Sequence, residues 1–170
     1  LFSRKNIRKE RDKISKQGVT LSRVKGEDIT IKMIETFYQF YQVTYLKRGM
    51  RGYLNFEFFK AIVECVPESI MLVLAKNIDG NFVAGALNFY DDKKLYGRYW
   101  GCLEEYDSLH FETCYYQGIE FCLEKSLHSF DPGVQGEHKI KRGFCQIATY
   151  NLSYISVVTS SLKGNIDFLS

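Results

Sequence analysis

Carboxylates, a histidine and several tyrosines are concentrated in residues 96–118, a composition that suits proton transfer. Glu104 and Glu105 are adjacent, and His110 follows a short polar segment. A carboxylate beside another carboxylate, or in an aromatic pocket, has its pKa raised toward the range of a general base. Either glutamate is therefore a candidate to deprotonate an amine, directly or through water. The alternative is that the two form a solvated turn.

A second group of reactive side chains lies in a glycine-flanked polar run that ends at Phe144. Histidine is the natural proton carrier at neutral pH, so we predict catalytic roles for Glu137 and His138. The cations that follow could hold a phosphate or carboxylate of a donor or acceptor. The predicted binding residues of this run are Gln135, Lys139 and Arg142.

Four residues of the first segment are predicted to bind substrate, namely Arg98, Trp100, His110 and Tyr115. Arg98 falls on the same face of a predicted strand as Trp100, where it could bind an anion or simply pair with Glu104. His110 could equally be a capping or core histidine. A nucleophilic pair of Cys102 with His138 is not expected, because the acidic neighbours of Cys102 would raise the pKa of its thiol.

The 170 residues suffice for one domain with a substantial core. Five cysteines without CxxC or zinc-ligand spacing indicate reduced thiols rather than a disulfide framework or a metal site. Reduced thiols are typical of a cytoplasmic protein, which is the expected location. Because no apolar run approaches the ~20 residues of a membrane-spanning helix, we expect no stable membrane insertion. The chain does not begin with Met, which suggests a fragment of a longer polypeptide.

Positive charge is concentrated at the start of the chain. Residues 1–25 contain nine Lys and Arg against Glu10 and Asp12, whereas the whole chain carries only +3. Such a basic arm could bind the phosphates of RNA, or it could be one solvated helix face. Residues 3–17 contain no aromatic side chain on which a base could stack, so RNA binding is the weaker interpretation unless RNA carries the acyl donor.

The hydrophobic pattern predicts helices and strands in a definite order. We expect helices over 3–17, 30–47, from Asn55 to before Pro67, and over 111–128. Strands are expected over 19–24, 70–75, 82–90, 94–103, 129–131 and 146–155. The 70–75, 82–90 and 94–103 strands should form an antiparallel meander, and the strand after the crossover helix should run parallel to its neighbour. The order predicts an α+β fold with a mixed, mostly antiparallel sheet flanked by helices.

This element order resembles the GNAT acyltransferase superfamily. Three motifs narrow the resemblance to the FemAB-like family, catalogued as peptidoglycan biosynthesis or recognition proteins: YGRYWG, CYYQGIE and QGEHKIKRGF. The resemblance covers residues 3–155. It implies that residues 1–170 form a single GNAT-like domain, the C-terminal half of a longer bacterial protein.

The resemblance implies an N-acyltransferase that moves an acyl or aminoacyl group to an amine of a cell-wall-related or other small acceptor. Fem ligases proper use aminoacyl-tRNA and a peptidoglycan-precursor acceptor, whereas most other GNAT-fold enzymes use acyl-CoA. The expected co-substrate is therefore acyl-CoA or aminoacyl-tRNA, with tRNA as a partner and no bound cofactor or metal. The alternative is a non-catalytic module of the same fold that recognises a peptidoglycan precursor.

One departure from the GNAT pattern concerns the donor. The glycine-rich loop that binds the pyrophosphate of acyl-CoA is absent, and Glu104, Glu105 and Asp107 occupy its place. Carboxylates repel a pyrophosphate, so the sequence argues against acyl-CoA binding in the ordinary way.

Overall fold

A five-stranded sheet forms the centre of the protein, with strand order β1-β2-β3-β4-β5. The computed structural model describes residues 4–133, 136–148, 150 and 152. The elements are α1 (Arg4–Lys16), β1 (Thr20–Lys25), α2 (Ile31–Lys47), α3 (Phe56–Cys65), β2 (Ile70–Lys76), β3 (Phe82–Tyr90), β4 (Lys94–Cys102), α4 (Leu109–Phe111), α5 (Gln117–Lys125), β5 (Ser129–Asp131) and α6 (His138–Lys141). A π-helical stretch, Glu112–Tyr116, joins α4 to α5, and we call the continuous unit the crossover helix.

The predicted meander and the predicted parallel strand are confirmed. Strands β2, β3 and β4 pair antiparallel in sequence, and β5 pairs parallel with β4 after the crossover helix. Strand β1, for which no partner was predicted, pairs antiparallel with β2. Every residue of β2 from Ile70 to Ala75 is buried, as expected of a strand covered on both faces. Ile70, Leu72 and Leu74 pack with α2 and α3 on one face. Met71 and Val73 pack with the crossover helix on the other.

Two of the helices begin where side-chain caps predict. The Thr30 hydroxyl accepts a hydrogen bond from the Met33 amide at the start of α2, and the Asn55 side chain accepts one from the Phe58 amide at the start of α3. These caps satisfy amides that have no partner inside the helix. The two helices then bury their aromatic faces against the sheet, including Phe37, Phe40 and Phe59.

Helix α2 lies unusually close to β4 because Gly101 has no side chain. A Cβ placed on Gly101 would come within 2.3 Å of the Phe40 main chain. This contact fixes the part of β4 that carries Trp100 and Tyr99 directly against α2. The close packing of β4 against α2 therefore requires the second glycine of the YGRYWG motif, Gly101.

The remaining predictions differ from the structure mainly at element ends. The crossover helix begins at Leu109 rather than at Phe111, and it ends at Lys125. Of the predicted last strand over 146–155, residues 146–148 lie in no strand, and residues 149, 151 and 153–155 lie outside the described residues. Ser3, the predicted cap of α1, also lies outside them. Within the described ranges, none of the helices is both long and apolar enough to cross a membrane.

Candidate active site

Strands β4 and β5 separate soon after they meet, and a cleft opens between them. Their pairing covers only Lys94–Tyr96 against Ser129–Asp131. Beyond it, Gly97 pairs with Asn88 and Tyr99 with Leu87, which leaves Arg98 as the extra residue of a β-bulge. Because a bulge bends its strand, β4 turns away from the segment that follows β5. The resulting cleft has a volume of about 860 Å³.

The walls of this cleft are aromatic and cationic. Of the described residues that line it, none is Asp or Glu, whereas three are Lys or Arg. Six of the lining residues are Tyr or Trp. The lining comprises Tyr41, Thr44, Tyr45, Arg48, Tyr53, Ala86, Asn88, Gly97, Arg98, Tyr99, Trp100, His110, Cys114, Tyr115, Pro132, Gly133, Gly136, His138 and Lys139. Such a cleft favours a ligand with an anionic group and a flat or apolar body.

The Tyr115 hydroxyl lies between two histidines on one wall. Its Oη atom is 2.8 Å from Nε2 of His138 and 3.3 Å from Nε2 of His110. The ring of Trp100 meets the His110 ring edge to face, with 5.0 Å between the ring centroids. A hydroxyl has one proton, so it donates to one histidine and accepts from the other. The three side chains thus form a continuous path along which a proton can move.

The π-helical stretch explains how two members of this path meet. In a π-helix each main-chain bond spans five residues rather than four, and such stretches are common at functional sites. His110 and Tyr115 are five residues apart and their side chains are hydrogen-bonded. The same spacing brings Gln117 to within 2.8 Å of Glu112 on the opposite side of the helix.

All three side chains of the path are held in their neutral forms at neutral pH. Burial is the main cause that lowers the pKa of His110 to about 4, with nearby cations adding to it. Burial, then Arg142 and Lys139, also lower the pKa of His138. Burial raises the pKa of Tyr115 to about 12. Each histidine is therefore available as a proton acceptor, and the tyrosine as a proton donor.

Cys114 continues the path but is not a nucleophile. Its Sγ atom lies 3.6 Å from Nδ1 of His110. Burial strongly raises the pKa of this thiol, so the reactive thiolate does not form at neutral pH. Burial likewise raises the pKa of the Cys102 thiol. Both cysteines therefore act as small apolar side chains.

Lys139 shapes the other wall of the cleft. Its ammonium donates to the main-chain oxygens of Pro132 and Gly133, at 2.8 and 2.9 Å. The residue is only 9% exposed, and burial lowers its pKa. A Cβ on Gly136 would lie 2.3 Å from the His138 ring, so this glycine allows the ring to pack against the chain. Gln135, predicted to bind substrate, lies outside the described residues.

Arg142 also has protein partners. Its guanidinium pairs with the carboxylate of Glu10 in α1, with 2.6 Å between Nη2 and Oε1. Nε of Arg142 lies 3.1 Å from the Tyr116 hydroxyl, which itself donates to Glu10. The Arg142 side chain is only 4% exposed. A substrate anion could bind it only in competition with Glu10, so its predicted binding role remains a prediction.

The three predicted catalytic glutamates lie outside the cleft lining. Glu104 is exposed and accepts a hydrogen bond from the Tyr106 hydroxyl. Glu105 is exposed and pairs with Lys47. Glu137 is exposed at the start of α6. The structure thus groups Arg98, Trp100, His110, Tyr115, His138 and Lys139 in one cleft, and places these carboxylates around it.

The turn before α4 is occupied by carboxylates and by the end of α1. The Gln17 side chain makes two hydrogen bonds of 3.0 Å with the main chain of Asp107, one to its oxygen and one from its amide. Lys13 pairs with the Asp107 carboxylate at 2.6 Å. This arrangement leaves the turn acidic and partly covered by the end of α1.

Several cleft residues were not predicted from the sequence. Asn88 is buried on β3 and faces the bulge, while Arg48 and Tyr53 reach the cleft from beyond α2. A polar Asn inside the otherwise apolar VAGALNFY strand was the available signal. The residues around Glu10 in the sequence gave no indication that its carboxylate pairs with Arg142. Among the described residues, no group of three or more His, Cys, Asp or Glu is placed to hold a metal ion.

The fold matches solved acetyltransferases with low sequence identity. A predicted acetyltransferase with acetyl-CoA from Clostridium acetobutylicum superposes with a TM-score of 0.60 and 10% identity, over 80% of this chain and 96% of the other. An aminoglycoside acetyltransferase from an uncultured soil sample, in complex with sisomicin, gives 0.55 and 10%, over 85% and 99%. These neighbours identify a GNAT-like fold.

A further solved structure and one family model also match. The C-terminal domain of a putative lysylphosphatidylglycerol synthetase from Agrobacterium fabrum gives a TM-score of 0.54 and 14% identity, over 73% of this chain and 39% of the other. The FemAB-like family model, described as peptidoglycan biosynthesis/recognition, matches residues 2–167. No protein of curated function matches the sequence.

Proposed function

Because the chain belongs to the FemAB-like family, we propose that it is an N-acyltransferase that moves an acyl or aminoacyl group to an amine of a cell-wall-related or other small acceptor. The observation that carries this proposal is the Tyr115 hydroxyl held between two neutral histidines in the cleft where β4 and β5 separate. The acyltransferase-type fold of the neighbours supports the same reaction class.

Aminolysis of an activated acyl group requires two proton movements. The amine nitrogen attacks the acyl carbon and loses a proton. The bond from that carbon to the leaving sulfur or oxygen breaks, and the leaving atom gains a proton. In our proposal His138 accepts the amine proton on Nδ1 and passes its Nε2 proton to Tyr115. Tyr115 gives its own hydroxyl proton to the leaving group. The product is an amide and a free thiol or alcohol, and after a tautomer shift the histidine returns to its starting form.

His110 has a supporting part in this mechanism. In the resting state the Tyr115 hydroxyl donates to Nε2 of His110, which keeps it oriented until the donor displaces that contact. The neutral state of His110 matters here, because a charged imidazolium could not accept this hydrogen bond. The ring of Trp100 limits the movement of His110 on the other side.

The cationic side of the cleft is proposed to hold an anionic group of the donor or acceptor. Arg98 is exposed at the bulge, 4.0 Å from the nearest oxygen of Asp131, and its charge is only partly balanced there. Arg48 lines the same cleft. Both acyl-CoA and aminoacyl-tRNA carry phosphates, so these arginines do not distinguish the two donors. The acidic turn at Glu104 and Glu105 weighs against the pyrophosphate of CoA.

The proposal is tested by thermal unfolding of the full chain with acetyl-CoA, alanyl-tRNA and uncharged tRNA in parallel. A donor at about 100 times its dissociation constant stabilises the fold by about 2.7 kcal/mol. We expect one donor to stabilise, and mass spectrometry to detect its acyl group on the free amine of a peptidoglycan-precursor peptide. A stabilising donor without any acyl transfer would contradict the proposal.

A second candidate function is recognition of a peptidoglycan precursor without catalysis. The observation that favours it is the exclusion of Glu104, Glu105 and Glu137 from the cleft lining, which leaves no carboxylate base among the described lining residues. Under this function the precursor peptide alone would stabilise the fold, and Tyr115→Phe would weaken that binding at most modestly. Under the acyltransferase function the same variant would bind but not react.

A further inference from the structure

The outer edge of the cleft carries exposed apolar side chains. Leu46, Met50 and Tyr53 are 62%, 51% and 72% exposed. They lie in the last turn of α2 and the loop after it, residues 46–53, which we call the cleft lip. The Met50 amide donates to the Tyr45 oxygen at 3.0 Å, and the rings of Tyr45 and Tyr53 have their centroids 6.1 Å apart. These contacts make the lip one continuous surface.

The cleft lip is also strongly basic. Residues 46–53 contain Lys47, Arg48 and Arg51 and no acidic residue. Lys47 is paired with Glu105 at 3.3 Å. Within the part of the chain that the structure describes, Arg48 and Arg51 form no ion pair. Two guanidinium groups therefore stand beside the exposed apolar side chains with their charge uncompensated.

An aromatic side chain, aliphatic side chains and uncompensated cations at one edge match the chemistry of a lipid headgroup region. Tyr concentrates at the membrane–water interface, aliphatic side chains enter the acyl boundary, and Arg binds anionic headgroups. We propose that the cleft lip docks on the surface of an anionic lipid bilayer. Leu46, Met50 and Tyr53 enter the headgroup region, while Arg48 and Arg51 contact lipid phosphates.

The same observations argue against other occupants. A single-stranded nucleic acid binds by stacking successive bases on aromatic rings, and of the three exposed apolar side chains of the lip only Tyr53 has a ring. A second copy of the chain would bring two basic lips together, and three side chains supply far less than the ~1,600 Å² of a stable interface. Elsewhere in the described chain, the exposed Ile78 and Leu123 lie outside any comparable basic segment. The exposed Ile140 has basic neighbours, but two of them, Lys139 and Arg142, are buried.

The proposal gives the cleft an orientation relative to the bilayer. Tyr45, Arg48 and Tyr53 line the cleft, and Arg48 and Tyr53 also belong to the lip. A bilayer in contact with the lip therefore lies at the cleft mouth, within reach of a molecule anchored in it. Docking itself does not depend on acyl transfer, so the two proposals can fail separately.

The test is sedimentation of the full chain with vesicles of phosphatidylcholine alone and of phosphatidylcholine mixed with phosphatidylglycerol. We expect pelleting with the mixed vesicles only, and weaker pelleting as salt rises. Arg51→Ala should lower partitioning roughly fivefold, as expected for one basic residue near an anionic surface. The combined variant Leu46→Ser, Met50→Ser, Tyr53→Ser should lower it by at least about tenfold.

The matched control is Leu123→Ser, which removes a side chain that is 75% exposed in α5, away from the lip in sequence. It should pellet like the unmodified chain, and circular dichroism should show that all variants are folded. The proposal is overturned if mixed vesicles pellet no protein, if the lip variants pellet normally, or if Leu123→Ser is equally impaired. Dimerisation or RNA binding that the lip variants abolish, without vesicle binding, would also overturn it.

Discussion

Glu10 and Arg142 are 132 positions apart in the sequence, yet their side chains meet at 2.6 Å. The Arg142 guanidinium lies 3.4 Å from the Phe111 ring centroid and donates to the His138 main-chain oxygen at 2.9 Å. A single ion pair thus connects the first helix, the crossover helix and the segment that carries His138. The basic first helix is therefore part of the scaffold of the cleft.

Glu10→Gln should destabilise the protein, because it removes the carboxylate that pairs with the buried Arg142 guanidinium. Removing one partner of a buried ion pair costs about 3 kcal/mol. Urea unfolding at neutral pH measures this change directly. The matched control is Lys13→Gln on the same helix, whose pair with Asp107 is exposed and should contribute little to stability. Equal losses in the two variants would contradict a structural role for the Glu10–Arg142 pair.

Tyr115→Phe should abolish most acyl transfer and leave the fold intact. Loss of one positioned proton donor lowers kcat by roughly a hundredfold or more. The donor should still bind, because the ring remains in place, so KM should change much less than kcat. Steady-state kinetics, with the donor identified by thermal unfolding, measures the changes in kcat and KM separately.

Tyr96→Phe is the control for this substitution, because it removes a tyrosine hydroxyl that bonds the exposed Asp91. Its kinetics should match those of the unmodified chain. If Tyr115→Phe kept normal kcat, the proposed proton path would be wrong. The recognition function would gain support from a different result, namely ligand binding without measurable acyl transfer in the unmodified chain.

The sequence was sufficient to predict elements that depend on local signals. Asn55 begins α3, the buried 70–75 strand is apolar throughout, and β5 runs parallel to β4. These features follow from residue types within a few positions of each other. The π-helical stretch and the bulge at Arg98 could not be predicted, because neither has a characteristic pattern of residues.

The candidate site was predictable in part for the same reason. Grouping His110, Tyr115 and His138 needed only the expectation that the crossover helix and the polar run meet near the sheet. The orientation of Glu104 and Glu105 could not be predicted in this way, because it depends on hydrogen bonds with Tyr106 and with Lys47 of α2. Long-range pairs such as Arg11 with Glu112 likewise become visible only once the fold brings them together.

Stability should decline as the pH falls below the ordinary pKa of histidine, because His110 is buried in its neutral form. Its pKa is lowered to about 4 in the folded protein, against about 6.5 in the unfolded chain. Above pH 6.5 both states are neutral and the full stability is present. Between about pH 6.5 and 4 the unfolded state binds a proton that the folded state does not, so up to about 3 kcal/mol is lost.

Urea unfolding across this pH range measures the slope of the unfolding free energy against pH. His110→Gln should flatten it, because the substituted side chain does not titrate. His128→Gln, at an exposed position, should keep the slope of the unmodified chain. A slope that survived in His110→Gln would show that other groups cause the acid sensitivity.

Neutralising the acidic turn should strengthen the binding of acetyl-CoA if that donor uses the position common to acyl-CoA enzymes. Glu104 and Glu105 are exposed at the turn before α4, so each would repel a pyrophosphate through solvent. Exposed charge pairs are worth about 0.2–1 kcal/mol, so Glu104→Gln and Glu105→Gln should each tighten binding by a factor of roughly 1.4 to 5. The control Glu124→Gln, on α5, should leave binding unchanged. Isothermal titration at low salt measures the affinities, and equal affinities in all variants would place any CoA pyrophosphate away from this turn.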